Sequence, residues 1–119
     1  MSADVLTLGE RRVLVCPRHA IALASEADAV TLIGDAWSHE ASWVAAPVEA
    51  VHPDFFRLET RVLGGIVQKF ANYGIGLAIV GDIDGWLARS QALRAFVHES
   101  RRGGTVRFVA DVGALAANA

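Results

Sequence analysis

Apolar residues change their spacing several times along this chain, and each change marks an element. Val5 to Leu8 and Arg12 to Cys16 are short β-prone runs separated by Gly9-Glu10. Glycine first in so short a connection suits a type II′ turn, so two antiparallel strands are predicted. Ser25-Glu26-Ala27-Asp28 then supplies an N-cap with acidic residues in the first turn. Ala29, Leu32, Ile33, Ala36 and Trp37 follow at helical spacing and predict one buried face. Trp43 to Val48 reads as a strand that Pro47 brings to an end. Beyond a loop through His52-Pro53-Asp54, a second helix is predicted from Leu58 to Tyr73. Its apolar positions are Val62, Leu63, Ile66, Val67, Phe70 and Tyr73. Gly64-Gly65 inside it costs about 1 kcal/mol per glycine relative to alanine, so a close approach is expected there, with Phe55-Phe56 as the neighbours.

Ile75 to Val80 is apolar without alternation, as a strand covered on both faces should be. Gly81 to Gly85 reads as a loop. Ser90 caps a third helix with Leu93, Phe96 and Val97 inward, Arg101-Arg102 in its last turn and Gly103-Gly104 beyond. Val106 to Ala110 is the last strand, and Asp111 starts a short helix through Leu115. The predicted order is β-β-α-β-α-β-α-β-α. It implies one three-layer α/β domain over residues 1–119, with a five-stranded, mostly parallel sheet, one antiparallel edge strand and about four helices. Ligands of such open sheets bind outside the carboxyl ends of the parallel strands. Those ends carry Arg18, His19, Glu49, His52, Asp54, Arg57, Asp82, Asp84 and Asp111.

Composition narrows the function classes. With 53% hydrophobic and 20% charged residues the chain is globular, and 119 residues can bury roughly two thirds of their unfolded surface. A net charge of −2 gives no electrostatic reason to expect nucleic acid or a membrane surface as partner. No apolar run approaches the ~20 residues that span a bilayer, and Met1-Ser2-Ala3-Asp4 lacks a basic leader. Cys16, the single cysteine, ends an apolar strand, so it reads as a buried structural thiol in a reducing compartment. A cytoplasmic location is expected. Lys69 is the one lysine among 11 basic residues, an arginine bias that suggests a GC-rich bacterial genome. No nucleophile elbow, phosphate-binding glycine loop, zinc spacing or dinucleotide fingerprint occurs, so neither a metal nor a cofactor is expected.

Longer stretches carry a family resemblance. Pro53-Asp54-Phe55-Phe56-Arg57-Leu58-Glu59-Thr60, Gln68-Lys69-Phe70, Asn72-Tyr73 and Leu77-Ala78-Ile79-Val80-Gly81-Asp82 resemble the bacterial domain of unknown function 4180 (DUF4180). So do Ser90, Leu93-Arg94-Ala95-Phe96-Val97, Glu99-Ser100 and Arg102-Gly103. The chain departs from that pattern in two places. Thr60-Arg61 and Leu63-Gly64-Gly65 stand where the family reads Thr-Gly and Ala-Gly-Glu, which removes a glutamate at Gly65; Arg101 replaces an asparagine. The topology is similar to STAS domains, which bind protein partners. In some of them a serine or threonine opening the second helix is phosphorylated, and Thr60 lies near that position. The resemblance therefore implies an interaction or regulatory module with a protein partner, with Thr60 and the Phe55-Phe56 loop near the contact.

The residues themselves admit more than one use. Thr60 either caps its helix or accepts a phosphate at the positive end of the helix dipole. His52, Asp54 and Glu59 form either an acid/base group or a polar loop complementing that dipole. Asp82 and Asp84, with Asp111, are either cation ligands or solvated turn carboxylates. Gln68, Lys69, Asn72 and Tyr73 are a polar set that reads a partner surface or ties the helix end to the next loop. Trp86 is a core or rim residue, or covers a pocket. From a different class comes the alternative of a small-molecule binder or minor enzyme using a crevice lined by His52, Asp54, Asp82 and Trp86. A second copy of the chain is a further possible partner.

Overall fold

The computed structural model describes residues 4–18 and 20–117. His19 and the start of the N-terminal stretch fall outside the described residues. Strands β1 (Asp4–Leu8) and β2 (Arg11–Val15) form the expected hairpin, with Gly9 at φ 61, the left-handed value a tight turn demands. Helix α1 (Glu26–Ser38) opens on a reciprocal cap. Ser25 Oγ accepts the Asp28 N–H at 3.3 Å, and Asp28 Oδ2 accepts the Ala24 N–H at 2.8 Å. Next come β3 (Trp43–Pro47), α2 (Val62–Tyr73), β4 (Gly76–Val80), α3 (Asp84–Arg89), α4 (Gln91–Ser100), β5 (Val106–Val109) and α5 (Ala114–Ala117). Gly74 at φ 68 stops α2 in the left-handed conformation typical of a helix C-terminus. Ser90 Oγ caps α4 by accepting the Leu93 N–H. No described helix is long and apolar enough to cross a membrane.

Among the described residues the strands form one sheet in the order β1-β2-β3-β4-β5, with β1 antiparallel and the rest parallel. Strand order equals chain order, so every crossover steps in the same direction. Uniformly right-handed crossovers then lay α1, α2 and α4 on one face. The main core lies there: Leu14, Val44, Leu77 and Ile79 meet Leu32, Ile33, Ile66, Phe70 and Leu93. The expected third layer is reduced, among the described residues, to the short α5. On the other face Val13, Ala45 and Ala78 are covered by Leu115 and Val112 around the short α5. Trp43 packs over Gly76 on that face, with the Arg11 and Arg107 guanidiniums 5.2 and 5.7 Å from its ring centre.

Four local expectations are corrected. The second helix begins at Val62 rather than Leu58: residues 58–60 form a 3-10 turn, and Arg61 at φ 65 breaks the path into α2. The Gly81 to Gly85 loop is shorter than predicted, because α3 starts at Asp84 on an N–H that Asp82 Oδ1 accepts at 2.9 Å. Trp37 is 55% exposed, not buried. At 100° per residue it sits about 80–100° round α1 from the Ala29–Ala36 centre of the buried stripe, in the last turn. The close approach at Gly65 is also not to Phe55-Phe56. A Cβ there would lie 2.5 Å from Glu26 Oε2, and Gly64 faces open space.

Candidate functional site

The segment from His52 to Thr60 is two consecutive 3-10 turns, Pro53–Phe56 and Leu58–Thr60, leading into α2. His52 Nδ1 accepts the Asp54 N–H at 3.0 Å and so caps the first turn. That bond fixes the neutral ring as the Nε2–H tautomer and occupies the nitrogen facing Asp54, whose Oδ2 lies 3.9 Å away. Asp54 Oδ1 is 3.7 Å from Arg57. Phe55 and Phe56 are buried, with rings edge-to-face at 5.3 Å, so neither ring reaches solvent. Thr60 is exposed. Its hydroxyl lies 2.7 Å from the carbonyls of both Asp54 and Arg57, sharing one proton between them, and accepts the Val62 N–H at 3.3 Å.

His52, Asp54, Asp82 and Trp86 are not gathered around one cavity. One crevice at the carboxyl ends of the strands, about 410 Å³, is walled by Val15, Ala45, Val80 and Val112, with Arg18, Glu49 and Asp111 as its charged groups. Cys16 lies at its edge, and burial, reinforced by the Asp35 charge, raises its thiol pKa to about 11. At neutral pH that thiol is protonated and unreactive. Asp82 and Asp84 line a neighbouring cleft with Leu87, Val97, Arg101 and Phe108. No group of three His, Cys, Asp or Glu side chains suited to a metal occurs among the described residues.

Trp86 stands on α3, its ring stacked 5.2 Å from Phe56 at an interplanar angle of 13°. The guanidiniums of Arg57 and Arg89 lie 5.8 and 5.5 Å from its centre. With Phe56, Glu59 and Ser90 these residues enclose a notch of about 260 Å³.

The remaining candidates lie on the outer seam between α1 and α2. At one end Lys69 Nζ is 4.0 Å from Glu26 Oε1. At the other, Trp37 meets Tyr73 edge-on at 5.4 Å, the two residues 55% and 45% exposed. Val30, 45% exposed, falls between these ends on α1. Gln68 and Asn72 face solvent and bond to each other at 2.8 Å. Sequence reasoning found Tyr73 and Lys69 but assigned Trp37 to the core. It named Arg57 as a strand-end residue and did not single out Arg89, because nothing local shows that both converge on Trp86.

No curated protein and no solved structure matches the chain. A family model does, over residues 8–118, and the chain belongs to that family, described as Domain of unknown function (DUF4180).

Proposed function

We propose that this domain is a protein-interaction module whose partner docks on the α1–α2 seam around Trp37 and Tyr73. One observation carries the reading: two large aromatic rings pack against each other in solvent, where folding gains little from them. Leaving such surface exposed is a cost that binding recovers, and tryptophan and tyrosine are the side chains that dominate binding hot spots. The Lys69–Glu26 pair at the far end of the seam and the Gln68–Asn72 pair beside it give the polar rim that such a centre requires. The family's similarity of topology to STAS domains agrees with this role. Thr60 sits at the opposite end of α2 from Tyr73, with its hydroxyl engaged by backbone, which favours capping over modification.

A small-molecule role is the second reading, resting on the 410 Å³ crevice with Arg18, Glu49 and Asp111. One experiment separates the two. A photo-crosslinking amino acid is placed at Trp37, and at exposed Thr7 as control, in the native cells, and the products are identified by mass spectrometry. A discrete protein adduct from position 37 that Tyr73→Ala abolishes supports the docking seam. No adduct from position 37, or the same adducts from both positions, overturns it. A non-covalent small molecule that survives native but not denaturing mass spectrometry would then support the crevice.

A further inference from the structure

We propose that the notch between the 3-10 turns and α3 is a binding site for a phosphomonoester group, held by Arg57 and Arg89 on the Trp86 platform. Phe56 is 2% exposed and anchored in the core, and Trp86 stacks flat upon it, so the indole is fixed by packing rather than by solvent contacts. Two guanidiniums from separate elements then converge on that one ring, at 5.8 and 5.5 Å from its centre. Cation–π contact holds each in place and so pre-orders side chains that would otherwise lose entropy on binding.

The charge balance points to the ligand. Two cations brought to one ring repel each other and call for an anion between them. The protein supplies little of it: Arg57 has only the exposed Asp54 carboxylate at 3.7 Å, and Arg89 has no ion pair among the described residues. Glu59 lines the notch but lies within ion-pair distance of neither arginine, so the lining carries a net charge of +1, two arginines against one glutamate. Ser90 Oγ accepts the Leu93 N–H, while its own O–H makes no hydrogen bond among the described residues and remains a donor for a ligand.

Size and donor count then choose the anion. About 260 Å³ lies below the ~300–1,000 Å³ usual for whole ligands, so the notch fits a charged head group rather than a complete nucleotide. Two guanidinium forks and a hydroxyl offer more donors than the two oxygens of a carboxylate can use. The three terminal oxygens and near-double charge of a phosphomonoester match them. The head group could belong to a small metabolite or to a phosphorylated side chain of another protein.

The test is two-dimensional NMR titration of the intact protein with phenyl phosphate, with a phosphothreonine peptide and with succinate, at an ionic strength of about 0.1 M to screen unspecific attraction. The Trp86 indole N–H is the built-in reporter, and the Trp37 and Trp43 indoles, on other surfaces, are internal controls. Saturable shifts centred on Trp86 for the phosphate probes, weakened about tenfold or more by Arg57→Ala or Arg89→Ala, support the site. Arg57→Lys, which keeps the charge but loses the fork and perturbs folding least, should weaken binding as well. Tighter binding of the peptide than of phenyl phosphate assigns the source to a protein; equal binding assigns it to small molecules. Succinate binding as well as phosphate, shifts centred on Trp37 or Trp43, or affinities unchanged in the folded Arg57→Lys protein would each overturn the proposal.

Discussion

Replacing Gly76 by alanine would drive a methyl group into the Trp43 ring. The two residues are direct partners in the β3–β4 register, and a Cβ at Gly76 falls 2.5 to 2.6 Å from Cδ2, Cε2 and Cε3 of the indole. Carbon atoms in good contact sit about 3.5–4.0 Å apart, so the ring must retreat by roughly 1 Å or more. It cannot do so freely, because Arg11 and Arg107 hold it at 5.2 and 5.7 Å. Overpacking of this kind costs about 1–3 kcal/mol, and weakening the two cation–π contacts adds about 0.5–1 kcal/mol for each. Alanine recovers about 0.5–1 kcal/mol of the backbone entropy that glycine loses in a strand. The expected balance is a loss of about 3 kcal/mol. Urea unfolding followed by far-ultraviolet circular dichroism should show the midpoint lowered by about 1 M or more. In a Trp43→Ala background the obstacle is gone, and the same substitution should become neutral or stabilising. A wild-type-like midpoint for Gly76→Ala, or an equal loss in both backgrounds, would refute the steric account.

Two further outcomes are expected. Burial raises the Cys16 thiol from 9.0 to about 11, so between those values the unfolded thiol ionises while the folded one does not. Stability gained from this group is whole below pH 9 and falls as pH rises towards 11, by about 3 kcal/mol in all. The difference between wild type and Cys16→Ala in urea unfolding at pH 8 to 11 should therefore shrink steadily; a flat difference would contradict it. Arg61 holds φ 65, a conformation that costs a residue with a Cβ about 1–2 kcal/mol and glycine almost nothing. After the greater unfolded-state entropy of glycine, Arg61→Gly should raise thermal stability by up to about 1 kcal/mol and Arg61→Val should lower it; a valine variant as stable as the glycine one would sink this.

What the sequence determined by itself was whatever the chain decides locally. The hairpin at Gly9, the Ser25 and Ser90 caps and the end of α2 at Tyr73 follow from hydrogen bonds and dihedral preferences spanning a few residues, and all lie where the sequence predicts. The apolar β4 likewise announced a strand covered on both faces. Where local signals were silent, the boundary slipped. Arg61 takes its left-handed φ directly after Thr60, whose hydroxyl ties back to the carbonyls of Asp54 and Arg57, a contact reaching six residues upstream. Only the tertiary structure decided that the sheet keeps chain order, which puts α1, α2 and α4 on one face and leaves the other to the short α5. It also decided which side chains meet. Trp37 and Tyr73 lie 36 positions apart and Arg57 and Arg89 lie 32 apart, each pair on separate elements. Periodicity reports how far a residue turns from its own helix's buried stripe, but not what another element brings alongside it. The candidate surfaces of this domain are made of those second encounters.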